Sequence, residues 1–227
     1  MNSAIELSAQ GFLVCMPLGP DTLEGILTVP ASAQGLVIFA SSGESSQYSP
    51  KNRYLAKHFQ KAGLATLLFD LLTPTEAEYD QLTEDFRYNI TLLSQRLIAV
   101  TRWIKEYPAA QKLKAGYFGS GSASAAALLA AAELPEMVGA IVSKSGRPNL
   151  TGAALQRVKA PTLLLVGSAD TGGFELNRQA FSKLETIKDL EIIPETVSNP
   201  EETFVLEKVA WLAGRWFQRY LIEEQEH

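Results

Sequence analysis

Histidine and cysteine are the scarcest reactive groups in this chain of 227 residues, which carries two of the first and one of the second. With Cys15 alone no intrachain disulfide can form, and the sequence points to a reducing cytoplasm. Cys15 lies in the apolar run GFLVCMPLG and reads as a buried, inert thiol rather than a reactive one. A basic excess is also missing. The 20 Lys and Arg are outnumbered by 25 Asp and Glu, giving a net charge of -5, which argues against nucleic acid as a partner. No apolar run is long enough to span a bilayer, and only Glu6 precedes the first one, without the basic flank of a signal peptide. No membrane insertion, lipidation motif, internal repeat, long linker, metal site or cofactor is expected.

What remains is ordinary for a globular protein: 46% apolar and 20% charged residues, on a chain long enough to bury a substantial core. The most informative stretch is Leu113 to Glu133, LKAGYFGSGSASAAALLAAAE. It predicts a short apolar strand over Leu113 to Phe118, a turn of small residues, and an Ala-rich helix. A strand running into a helix through such a turn is the context of a nucleophile elbow. The turn needs small residues two before and two after its apex, and Gly119 and Ala123 meet that need. The apex they flank is Gly121, where an elbow would carry Ser, Cys or Asp.

In chain order, Gly11 to Leu18 and Leu23 to Val29 predict an antiparallel hairpin around Gly19-Pro20-Asp21. GLVIFA (Gly35 to Ala40) and Ala65 to Phe69 read as strands buried on both faces. Between them Ser49-Pro50 predicts a helix start and Gly63 its stop. Asp70 to Asp80 reads as a polar loop whose acidic cluster, Glu76, Glu78 and Asp80, is solvated rather than metal-binding. Phe86, Ile90, Leu93, Leu97 and Ile104 mark one face of a long helix ended by Pro108. Ala140 to Ser143, Pro161 to Val166 and Leu190 to Ile193 are further buried strands, with a helix from Phe174 to Leu184 among them. Val205, Val209, Leu212, Trp216 and Tyr220 give the C-terminal helix its apolar stripe. This alternation predicts a single α/β domain over 1–227, with a mostly parallel sheet covered on both faces. Functional groups then belong in loops beyond the carboxyl ends of the strands.

The stretches SSQYSPKNRYLA, GLATLLFDLLT, KAGYFGSGSASAAALLAAAE, AIVSKSGRPNL, APTLLLVGSAD and FELNRQA together resemble the α/β-hydrolase superfamily. They are most similar to its dienelactone-hydrolase-like group, in a branch also found joined to phosphoribosyltransferase domains. The resemblance covers the chain from about residue 35 to the C-terminal helix. It implies a triad in the order Ser, Asp, His. The nucleophile position matches Gly121, the acid position matches Asp170, and the histidine position falls in IPETVSNPEE, closest to Ser198. The group's His-Gly loop after the GLVIFA strand, part of its oxyanion hole, reads Ser41-Ser42-Gly43-Glu44 here. Nucleophile, base and that loop all depart from the pattern.

Acyl transfer needs a nucleophile, a base to take its proton, and donors aimed at the developing oxyanion. Neither imidazole suits the base: His58 reads as a packed or half-exposed helix residue, and His227 is the last residue of the sequence. Ser120 and Ser122 are the displaced-nucleophile candidates. Ser120 is expected to point away from the crest, whereas Ser122 starts the helix and offers its backbone N–H to an oxyanion hole together with Ser41, Ser42 and Gly43. Helix capping and small-residue packing account for these serines, and for Ser124, more simply than catalysis. Arg53 and Arg147, with Asn52 and Lys144 nearby, are candidates for binding an anion at the helix start, or for tying loops together and pairing with Asp170. The sequence thus favours a catalytically degenerate homologue serving a binding, regulatory or assembly role over an ester hydrolase using Ser120 or Ser122. Its partner, small molecule or protein, is unspecified, and a homo-oligomer is left open.

Overall fold

The computed structural model describes residues 11–19, 21–42, 47–194 and 199–222, without side chains for 199–203. Eight strands form one sheet: β1 (Phe12–Leu18), β2 (Asp21–Thr28), β3 (Gly35–Ala40), β4 (Leu64–Phe69), β5 (Lys114–Ser120), β6 (Val138–Lys144), β7 (Thr162–Gly167) and β8 (Lys188–Ile193). Their spatial order is β1-β2-β4-β3-β5-β6-β7-β8. The β1–β2 hairpin is antiparallel and sits at one edge, β2 meets β4 antiparallel, and every other pairing is parallel. This is the mostly parallel, helix-covered sheet that the alternation predicts, and the α/β-hydrolase architecture that the resemblance implies.

The central strands β3, β4 and β7 are buried along their whole length, as continuous apolar runs require when helices cover both faces. The helices are α1 (Pro50–Lys61), α2 (Pro74–Thr83), α3 (Ile90–Glu106), α4 (Ser122–Glu133), α5 (Thr171–Lys183) and α6 (Asn199–Leu221). One core layer forms against α3 and α4 with the hairpin, the other against α1 and α6. The Ala-rich face of α4 is buried from Ala123 to Leu128, which brings the helix close to the sheet.

Several sequence expectations are corrected. Cys15 is exposed, because β1 alternates: Val14 and Met16 face the core, Leu13 and Cys15 face out. The stretch Asp70 to Asp80 is not a loop throughout. Thr73-Pro74-Thr75-Glu76 is a capping box with proline at the start of α2, a signal hidden by the polar composition. Two carboxylates of the acidic cluster, Glu76 and Asp80, are engaged. Glu76 accepts from Arg96 at 2.8 Å, and Asp80 accepts the backbone N–H groups of Phe86 and Arg87, each at 2.8 Å. Phe86 lies before α3 rather than in it, since Asn89 caps that helix by accepting from Leu92 N. A 3-10 segment, Pro148–Arg157, was not anticipated. Strand β8 is an edge strand with only Ile193 buried, not a strand buried on both faces.

Candidate functional site

The elbow is built where β5 passes into α4. Gly121 holds φ 55° and ψ -130°, a conformation that side chains resist. Gly119 is required by proximity: a Cβ there would lie 2.7 Å from Ser124 Cα, inside the backbone of α4. The apex is pinned on both sides to the loop after β6. Gly121 N donates to Lys144 O at 3.3 Å, and Gly121 O accepts from Arg147 N at 3.2 Å and from Ser124 Oγ at 2.7 Å. An ideal Cβ at Gly121 meets nothing within 4 Å, so the apex opens onto free space.

That space is a cleft of about 340 Å3. Ser42, from the loop after β3, faces Ser122 across it with their Oγ atoms 3.5 Å apart. Ser120, Lys144, Ser145 and Arg147 line it too, and Arg87 and Tyr88 come over from the α2–α3 connection. Ser120, half-buried, is among the residues that line the cleft. Ser41 lies behind Ser42, buried, with its Oγ accepting from Asn52 Nδ2 at 3.3 Å and its carbonyl from Leu71 N at 2.9 Å.

Asp170 follows β7, is exposed, and caps α5 by accepting from Gly173 N at 2.8 Å. It lines an adjoining cleft of about 510 Å3 that shares Ser145 and Arg147 with the first. Two walls of this adjoining cleft are tied together by Asn177, buried in α5, whose Nδ2 donates to Gly146 O at 3.1 Å and to Gly173 O at 2.8 Å. Asp170 thus stands one loop away from the elbow. Arg53 is not brought there: it is exposed on α1, its guanidinium 5.7 Å from the Tyr48 ring centroid. Gly43, Ser198 and His227 lie outside the described residues.

His58 packs beneath α6, where a Cβ on Gly214 would meet its ring at 3.3 Å, and it stands edge-on to Phe59. Cys15 is on β1, four strand spacings from β5, roughly 19 Å at the usual inter-strand distance. Among the described residues, neither an imidazole nor a thiol lines the elbow cleft. Arg87, Tyr88 and Ser145 are the lining residues that sequence reasoning missed. Arg87 is fixed by Asp80 through Nε at 2.7 Å, a pairing that raises its pKa and keeps it charged. Asp80 keeps its carboxyl below the usual range: burial opposes this, but the hydrogen bonds from Arg87 and Phe86 outweigh it. Near the loop after β3, burial pushes the Asp70 carboxyl up to about 6, partly offset by Gln47 N donating to it at 3.1 Å.

An eight-stranded, mostly parallel sheet with a strained elbow at a central strand defines an α/β hydrolase. A dienelactone hydrolase from Anabaena variabilis, whose crystal structure is known, is 48% identical and superposes with a TM-score of 0.89 over 93% of this chain and 98% of its own. The chain belongs to the dienelactone-hydrolase-like family, with glycine at its elbow apex. Two curated Mycobacterium tuberculosis relatives (strains CDC 1551 / Oshkosh and ATCC 25618 / H37Rv), each provisionally named a phosphoribosyl transferase, are 43% identical over 203 residues. That match takes in 89% of this chain but 45% of theirs, so the chain spans about half the length of these relatives. An α/β serine hydrolase homologue from Coxiella burnetii shares the fold at 16% identity and a TM-score of 0.71, over 93% of this chain and 99% of that one. No family model matches the chain. No helix among the described residues is long and apolar enough to cross a membrane.

Proposed function

We propose that this chain is a catalytically degenerate dienelactone-hydrolase homologue that works by binding, in a regulatory or assembly role, rather than by ester turnover. The carrying observation is that the elbow keeps its strained backbone at Gly121 while presenting no side chain to the cleft. A preorganised oxyanion site stabilises a tetrahedral intermediate only after a nucleophile has attacked. Asp170 and Ser198 occupy the positions matched to the acid and the histidine, and Ser198 supplies no base. The provisionally named phosphoribosyl transferases, twice as long, suggest that a related chain works alongside a second module, which fits an assembly role.

One observation favours a second reading, an ester hydrolase using a displaced serine: Ser120 and Ser122 both line the cleft beside Lys144. Hydrolysis of p-nitrophenyl acetate separates the two. The binding reading predicts release of p-nitrophenol at the background rate. Turnover that is lost in Ser120→Ala or Ser122→Ala would establish the displaced nucleophile instead.

A further inference from the structure

The elbow cleft concentrates positive charge on a chain whose net charge is -5. Arg87, Lys144 and Arg147 line it, and no carboxylate is among its described lining residues. Arg87 is held in place by Asp80 and, at 3.3 Å, by Glu84. Arg147 is exposed and forms no ion pair with any described residue. Its backbone is nevertheless fixed beside the elbow, because its N–H is bonded to Gly121 O and the preceding Gly146 carbonyl is held by Asn177. Asp170, which lines the adjoining cleft with Arg147, is turned to its own helix start, accepting from Gly173 N.

The rest of the lining carries a second message. Besides Gly121 it consists of four serines and Tyr88, with no aliphatic side chain among the described residues. An acyl chain finds little apolar surface there, whereas a polyol finds hydroxyl partners. Tyr88, 49% exposed, adds an aromatic ring to the lining, a group on which the C–H surface of a sugar can pack. A volume of about 340 Å3 lies at the small end of ligand pockets, the scale of a single sugar ring with its charged substituent. Asp80 and Glu84 balance the charge of Arg87, but the guanidinium forks of Arg87 and Arg147 and the Lys144 ammonium together carry more N–H groups than the two oxygens of one carboxylate accept, and they suit the three terminal oxygens of a phosphate monoester.

We propose that this cleft binds a sugar phosphate: the phosphate monoester among Arg87, Lys144 and Arg147 above the start of α4, and the hydroxyls against the serines. Phosphate oxygens match the arginine fork, and backbone N–H groups at a helix start add donors of the same sign. This assignment rests on the reading that the cleft binds rather than turns over esters, and it names the ligand class for it.

Isothermal titration of the purified chain with glucose 6-phosphate, and separately with glucose and inorganic phosphate, tests the assignment. Glucose 6-phosphate is expected to bind, glucose to give no binding heat, and inorganic phosphate to bind roughly tenfold more weakly. Arg147→Ala and Lys144→Ala should each weaken glucose 6-phosphate roughly tenfold, the loss of one charge-assisted contact, with Arg147→Lys recovering part of it. Arg53→Ala, outside the cleft, should leave the affinity unchanged. Unshifted thermal melting of each variant would exclude a folding defect. Absence of binding at millimolar glucose 6-phosphate, equal affinity for inorganic phosphate, or indifference to Arg147→Ala would each overturn the proposal. Ester turnover is scored independently by p-nitrophenol release. A chain that binds sugar phosphate and also hydrolyses the ester refutes the binding-only function, whereas one that does neither refutes the sugar-phosphate site alone.

Discussion

At Gly121 the backbone is bent for a nucleophile, and a new side chain would enter free space. Gly121→Ser is therefore sterically admissible, but a non-glycine residue at φ 55° costs on the order of 1–3 kcal/mol. The single substitution is expected to recover little esterase activity, because the new hydroxyl lacks a base. Gly121→Ser combined with Ser198→His should exceed either single change, with Asp170 orienting the imidazole. Initial rates on p-nitrophenyl acetate for the four combinations decide this, and a double variant no better than the singles would place the loss elsewhere in the frame. Asp70 carries a different prediction. Its folded-state value of about 6 stands above the ordinary 3.8, so its contribution to stability is complete below pH 3.8 and is lost as pH rises through 6. Asp70→Asn should thus be the more stable protein at pH 8, by about 1 kcal/mol after solvent screening, with the advantage vanishing toward pH 4. Urea denaturation at both pH values reads it, and an advantage independent of pH would contradict the sign.

Among the elements, the β5–α4 joint is the tightest. A methyl group at Gly119 would meet the α4 backbone at Ser124 rather than a flexible side chain, so the helix itself must shift. Gly119→Ala is expected to cost about 1–3 kcal/mol, seen as a lower urea midpoint with an unchanged slope. An unaltered midpoint would mean that the helix yields freely. The same joint shows why the sheet was legible in advance. Runs such as GLVIFA and TLLLVG are apolar at every position only where both faces are covered, and small residues flank an apex only where a strand and helix nearly touch. Where tertiary position rather than pattern decides, the reading failed. Cys15 and Ile192 are apolar-run residues exposed because their strands lie at the sheet's edges, and strand order is not written locally. The missed α2 is the opposite case, since its capping box was present in Thr73 and Glu76.

For the molecule as a whole, the candidate site was half legible. Gly121, Ser120, Ser122 and Ser42 surround the cleft because a strand-to-helix turn and the loop after a neighbouring strand meet at the same end of a parallel sheet. Arg87 and Tyr88 reach it from a connection whose course depends on how Asp80 gathers the chain after α2, which no periodicity announces. Arg53 was placed by its proximity to a matched segment and lies instead on the outside of α1. The resulting frame preserves the geometry of a hydrolase and, in the reading proposed, dispenses with its proton chemistry. Fluorophosphonate labelling followed by intact-mass spectrometry measures that most directly, because the probe reports any activated serine whatever its natural substrate. The account predicts that the protein keeps its unmodified mass and that Gly121→Ser combined with Ser198→His gains one adduct. A stable adduct on the unmodified sequence, mapped to Ser120 or Ser122, would contradict it.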